Sequence, residues 1–355
     1  MNKFAFAAAL SICAVCALAA KPSSRNIQPL PRGGSSSPSN WEFKGADSQK
    51  SKSAQSGGSS SATFGSSSFG AKTAKSGKLI LPADLAALEM EEKPEQKELA
   101  PGVTYVKAHF KNMLGDGPVA TYWLVIDWKK AGKDISLNIA RHPESRMRPT
   151  DLAKETKALA TVNGTYHETK DPSTPHFQLK VDGVKIPSTY PDSGDGSMAF
   201  NRGEMPFIGH FSKDLLDTYE NVISGDGVPG LGQPLPDYSD KSPEAVKQRA
   251  GARCPRTFAG NDLTNRVTVI GVADGRMKPS IGVNYVEARW LLEKWGCDPK
   301  ALVSFDGGGS SVMAIRKGGD CEVQSVPSDG YPVSRERRVA EAIQIIDGKS
   351  KPAKR

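Results

Sequence analysis

The stretch "ALVSFDGGGSSVMAI", residues 301–315, sets an aspartate, three glycines and two serines between two apolar runs. Leu302, Val303 and Phe305 on one side, and Val312, Ala314 and Ile315 on the other, read as two short strands. Asp306 to Ser311 is then the turn that joins them. A tight hairpin needs only one or two glycines. Three in succession predict either close approach of the backbone to a neighbour or several N–H groups aimed one way, as in an anion-cradling nest.

Outward from that turn the pattern stays strand-rich. Asn284 to Trp295 reads as a helix, with Ala288, Leu291, Leu292 and Trp295 on one face and Gly296 as its stop. Thr121 to Trp128 and Ile135 to Ala140 read as strands, and Thr150 to Lys157 as a short helix opened by a hydroxyl cap and an acid. A further strand runs through "ALATVNGTYHE" into Asn163-Gly164. Val181-Asp182-Gly183-Val184 reads as a turn within a run of short strands, and Val267 to Val272 followed by Asp274-Gly275 as a hairpin. Many short strands with few helices predict an α+β fold with a mixed, mainly antiparallel sheet core.

The ends of the chain differ from its body. Residues 1–20 carry one early lysine, an apolar stretch and Ala17-Leu18-Ala19, the pattern of a cleaved signal peptide. Residues 21–78 are rich in Ser, Gly, Lys and Ala and poor in aliphatic clusters, so they predict a disordered tether. A single domain is expected over 79–347, followed by a basic tail over 348–355. No segment after the signal is apolar enough to span a membrane. The net charge of +8 resides in these ends: the tether carries nine Lys/Arg against Glu42 and Asp47, Lys3 adds one charge and the residues after Asp347 four more, leaving about −4 for the domain. The basic balance therefore gives no support for nucleic-acid binding. Location in the periplasm or cell envelope, or secretion, is expected.

Cys13 and Cys16 leave with the signal; Cys254, Cys297 and Cys321 remain, and an oxidising compartment predicts one disulfide among three possible pairings. No paired Cys or His spacing suggests zinc, so neither a metal nor a cofactor is expected.

Several polar turns end apolar strands, where function concentrates. In order they are "TVNGTYH" at 161, "CPRTFAG" at 254, "VIGVADGR" at 269, "VEARWLLEKWG" at 286, "SFDGGGSSVM" at 304 and "RERRVAEAI" at 335. Their order and spacing over roughly 100–347 resemble the phosphodiester glycosidase family, related to the uncovering enzyme that removes N-acetylglucosamine from a sugar phosphodiester. Thr165 stands in place of that family's second glycine, His167 where an aromatic residue is expected, and Arg338 in place of a proline. The resemblance implies a secreted hydrolase that cleaves the glycosidic bond of a sugar-1-phosphodiester, with an envelope or extracellular glycopolymer as the expected source of that bond.

Residue chemistry gives that expectation a form. Asp306 is the expected catalytic carboxylate, as general base or as stabiliser of an oxocarbenium-like centre, with Glu287 as the second carboxylate. Arg256 offers a planar fork to phosphate, the amides of Gly307, Gly308 and Gly309 point at its oxygens, and the hydroxyls of Ser310 and Ser311 donate to the same anion. Asn163 and Gly164 form the turn facing the sugar, with Thr257 beside Arg256. His167 and His176 flank that loop, and Asp274 is either a turn residue or a site residue. Two alternatives use the same turns: a non-catalytic module that binds sugar phosphates, and a phosphodiesterase that breaks the P–O bond.

Overall fold

Residues 80–142, 144–168, 174–190, 196–227 and 232–350 are described by a computed structural model. The signal peptide, the tether and the tail beyond 350 lie outside the described residues. In chain order the elements are α1 (Ala83–Ala86), β1 (Glu95–Ala100), β2 (Val103–Phe110), β3 (Val119–Asp127), β4 (Ser136–Arg141), α2 (Pro149–Thr156) and β5 (Ala160–Asn163). Then follow β6 (Leu179–Val181), β7 (Val184–Ile186), β8 (Gly196–Phe200), β9 (Phe207–Gly209), α3 (Lys213–Asp217), β10 (Asn221–Gly225) and α4 (Pro243–Ala252). The last are β11 (Arg256–Asp262), β12 (Val267–Ala273), α5 (Tyr285–Lys294), β13 (Leu302–Ser304), β14 (Met313–Lys317), β15 (Asp320–Val323) and β16 (Glu341–Ile346).

These strands form three sheets, in the orders β1-β2-β3-β12-β11-β13, β7-β6-β10-β8-β9 and β15-β14-β5-β16-β4. Every strand pairing among the described residues is antiparallel, within the α+β class expected. The run around β3 is apolar on both faces because both are covered. Tyr122, Leu124 and Ile126 enter a core shared with Leu137, Ile139, Ile223 and Ile343, whereas Trp123 and Val125 pack on the other side with Phe258, Leu291 and Leu292. Helix α5 seals that second face with Ala288, Leu291 and Leu292 fully buried, each large side chain contributing about 1.5–3 kcal/mol.

Several local expectations hold in the coordinates. The β6–β7 hairpin turns through Asp182 (φ 48°) and Gly183 (φ 82°), the conformation two-residue hairpins favour. Helix α5 starts after Asn284, whose side chain accepts from the Glu287 N–H while the Glu287 carboxylate accepts from the Asn284 N–H, a reciprocal cap.

The stretch 301–315 holds two strands joined by the glycine turn, and they lie in different sheets: β13 pairs with β11 in the first, β14 with β5 and β15 in the third. Others are corrected. Asp274-Gly275 does not reverse β12, which instead pairs with β11 through the preceding turn, where Arg266 has φ 58°. Helix α2 takes no cap from Thr150; the Glu336 carboxylate accepts from the Thr150 N–H at 2.8 Å. The three cysteines are free thiols, so the expected disulfide is absent. Cys254 bridges to Val283 ahead of β11, Cys297 is packed against Gly260, and Cys321 lies on β15.

Strand ends from all three sheets meet at one place. Asp226, just past β10, exchanges both backbone hydrogen bonds with Ser304 at the end of β13 (2.9 and 3.1 Å). Gly225 permits that approach, since a Cβ there would lie 2.1 Å from the Ser304 carbonyl oxygen. The Asp306 N–H donates to the Gly164 carbonyl at 3.1 Å, and the Gly164 N–H to the Glu341 carbonyl at 3.0 Å, which ties β13 to β5 and β16.

Candidate active site

The three glycines answer to three neighbours pressed against the turn. A Cβ on Gly307 would sit 3.0 Å from the Pro255 carbonyl oxygen; one on Gly308, whose φ is +63°, would sit 3.0 Å from an Arg276 guanidinium nitrogen. At Gly309 it would overlap Asp329 Oδ1, 1.9 Å away. The close-approach reading therefore holds, whereas the anion nest does not. The Gly307 N–H donates to the Asp306 carboxyl. The Gly308 N–H donates to Pro255 O at 2.8 Å, and the Ser310 and Ser311 N–H groups close a 3-10 turn onto Gly307 and Gly308. Of the glycine amides, only that of Gly309 has no acceptor among the described residues.

Asp306 is the half-exposed carboxyl of this turn. Burial pushes it up from the usual carboxylate range, opposed by the Ser310 hydroxyl, the Gly307 N–H and the charges of Arg337 and His176. Ser310 also accepts from Arg337 Nη1 at 3.3 Å, and Arg337 grips Asp329 with two parallel bonds of 2.8 and 2.9 Å. The Ser311 hydroxyl is buried and has no partner.

Asn163 is placed beside Asp306, although its amide is committed inside the protein. Its Nδ2 donates to the Asp306 carbonyl at 2.7 Å, and its Oδ1 accepts from the Thr257 hydroxyl at 2.6 Å and the Val312 N–H at 3.2 Å. Asn163 and Thr257 hold the strand ends together and offer nothing to a sugar. Gly164 lies between two carboxyl-bearing residues: a Cβ there would be 2.9 Å from Glu341 Oε1.

Arg256 and Glu287 are also drawn inward. The Arg256 guanidinium stacks 3.6 Å from the Tyr285 ring centroid and donates to the carbonyls of Val283 (3.0 Å) and Ala252 (3.4 Å), which turns its Nε edge to the protein. Glu287 is fully buried and accepts from Arg253, Tyr238 and the Asn284 N–H, which occupies both carboxylate oxygens. Those bonds commit both oxygens inside the protein. Asp274 is likewise internal: it accepts from Tyr122 and the Val326 N–H, each at 3.0 Å, and burial pushes it up to about 7.

The two histidines expected beside the Asn163 loop follow it in sequence, and one of them is felt at Asp306. His176, a third exposed, meets Glu168 at 3.3 Å, and its charge reaches Asp306. Burial, followed by the Arg146 charge, lowers His167 to about 4, and its Nδ1 has no partner among the described residues.

A matching family model covers residues 156–346, more than half of the chain, and describes phosphodiester glycosidases. The chain belongs to that family. A search of curated proteins finds no match. Among solved structures it is similar to the catalytic domain of zebrafish N-acetylglucosamine-1-phosphodiester alpha-N-acetylglucosaminidase, auto-inhibited by its pro-peptide. That pair has 18% identity and a TM-score of 0.52, covering 72% of this chain and 89% of that one. A Burkholderia pseudomallei protein described as exported aligns at 12% identity and TM-score 0.54, covering 75% and 99%. A hypothetical protein from Synechocystis aligns at 11% and 0.51, covering 72% and 64%. At such identities the likeness is one of fold.

The phosphodiester glycosidase span contains Asn163, Asp306, Arg337 and Glu341. Sequence reasoning passed over the last two although "RERRVAEAI" holds them, because neither ends an apolar strand. Glu341 is 1% exposed, accepts from the Thr165 N–H at 2.9 Å and leaves Oε2 without a partner. Burial pushes it up to about 8, eased by Arg141 and Thr165 and reinforced by the Asp306 charge. Its proton is therefore bound more tightly in the folded chain, so the stability it contributes is present below pH 4.5 and is lost as pH rises towards 8. Glu341→Gln is expected to flatten the decline in melting temperature across that window, a difference on the order of a few kcal/mol. Melts of both proteins across that range check this; parallel declines would refute it.

Proposed function

We propose that this phosphodiester glycosidase homologue hydrolyses the glycosidic bond of a sugar-1-phosphodiester, as an exported protein acting on an envelope or extracellular substrate. The observation that carries the reading is the half-exposed Asp306 carboxyl, raised by burial and set between Arg337 and His176 in a turn that joins two sheets. Water oxygen bonds to the anomeric carbon as the C–O bond breaks, and its electron pair leaves on phosphate oxygen. Negative charge grows on the phosphate side, where cations are needed more than in an ordinary glycosidase. Arg337 and the exposed Arg276, packed on Gly308, supply them in place of Arg256 and the glycine amides. The composition of residues 1–20 supports export.

The test is a panel of methyl phosphodiesters of glucose, galactose and N-acetylglucosamine 1-phosphates, incubated in heavy-oxygen water. Release of sugar carrying the label is expected. Label in the phosphate product would mean P–O cleavage, and binding without any release would mean a sugar-phosphate binding module.

A further inference from the structure

We propose that Asp226 is the second carboxylate of this cleft and acts as the general base that takes a proton from the attacking water. The inference rests on the glycosidase reading above. Hydrolysis at an anomeric carbon uses two carboxyl groups. Among those around Asp306, Glu287 is saturated, Glu341 is buried beneath Gly164, and Asp329 is held in two bonds by Arg337.

Asp226 differs from all of them. It is half-buried, and the hydroxyls of Tyr166 (2.7 Å) and Tyr285 both donate to its Oδ2. Oδ1 has no partner among the described residues. The two tyrosines are themselves braced. Tyr166 stands edge-on to Phe177 with centroids 5.8 Å apart, and the Arg256 guanidinium lies 3.6 Å over the Tyr285 ring. A cation on the ring face draws electron density from the phenol and makes its O–H a better donor. One oxygen is thus anchored and the other carries no hydrogen bond among the described residues, as a positioned base requires.

The backbone puts this group opposite Asp306. Asp226 pairs with Ser304 in an isolated antiparallel bridge, and Asp306 follows Ser304 by two residues, just past the end of β13. Inverting glycosidases separate their carboxyl groups by about 6.5–9.5 Å to admit a water, and retaining enzymes by about 5–5.5 Å. The proton of that water passes to Asp226 Oδ1 while the oxygen bonds to the anomeric carbon and the phosphate monoester departs; Asp226 then returns the proton to solvent. Arg256, expected to hold phosphate, instead braces the tyrosine that holds this base.

The experiment uses the full chain and whichever methyl phosphodiester of the panel the wild type cleaves fastest. Asp226→Asn is expected to lose about 10²–10⁴-fold in kcat with little change in KM. Asp226→Ala should regain turnover in sodium azide and yield the glycosyl azide of inverted configuration, which also shows that the variant is folded. Tyr285→Phe, as a positioning change, should lose about tenfold, since Tyr166 still holds Oδ2. Undiminished kcat in Asp226→Asn, or a wild-type product of retained configuration, would overturn the base assignment and leave the glycosidase reading intact. A wild type that releases no sugar from any panel member would overturn both.

Discussion

Asp306→Asn is expected to slow sugar release by about 10²–10³-fold and to remove the alkaline limb of the pH–rate profile. Asparagine keeps an oxygen to accept from the Gly307 N–H and the Ser310 hydroxyl, so the turn should survive, and the missing function is proton transfer. The fragment released is a phosphate monoester whose second proton has a pKa of about 6. Above that pKa the dianion is itself a fair leaving group, and a proton donor beside the leaving oxygen eases its departure further. A carboxyl held above its usual range by burial is suited to that task, so Asp306 is expected to act as the acid and not as the base. An acid must be protonated to act, so kcat should fall as pH rises through the Asp306 pKa, and only in the wild type. The modest factor follows from the chemistry, because phosphate departs more readily than a sugar alcohol. Initial rates across the pH range, with a melt to show folding, decide it. If Asp306→Asn keeps the alkaline limb, the acid is another group.

What could be read from the sequence, and what could not, divides along physical lines. Period and local turn chemistry report on contacts between near neighbours, so α5, the β6–β7 hairpin and the tight turn after Asp306 were all legible. Which acceptor an amide chooses is not local. The Gly308 N–H is spent on Pro255, and the Arg256 fork on Val283 and Tyr285, segments that only the folded sheets bring together. Glu287 did carry a readable signal: Asn284 three residues before it is the pattern of a reciprocal helix cap, which competes with a catalytic reading. Asp226 had none, since it sits among short strands and turns whose pairing to β13 depends on Gly225 lying against Ser304. The cysteines show the same limit, as their number and the expected compartment suggested a bridge while all three are free thiols.

Arg253→Ala is expected to destabilise the fold by about 3–5 kcal/mol, because it leaves the buried Glu287 carboxylate without its cation. Arg253 donates to Glu287 through Nε at 3.1 Å and Nη2 at 2.5 Å and also meets Asp116 at 3.1 Å, while Arg249 engages the same Asp116. All four side chains are 5% exposed or less, so water cannot replace the lost partner. In a domain of this size that loss should lower the melting temperature by roughly 10 °C. Replacing both partners, as Arg253→Met with Glu287→Leu, should recover most of it, since the penalty belongs to the stranded charge more than to the missing bond. The same melts also test what Glu287 is for. As the cap and anchor of α5 beneath the first sheet, Glu287→Gln should lower the melting temperature and leave kcat nearly unchanged. A variant that melts like the wild type but turns over at a hundredth of its rate would return Glu287 to the chemistry and displace Asp226 as the second carboxylate.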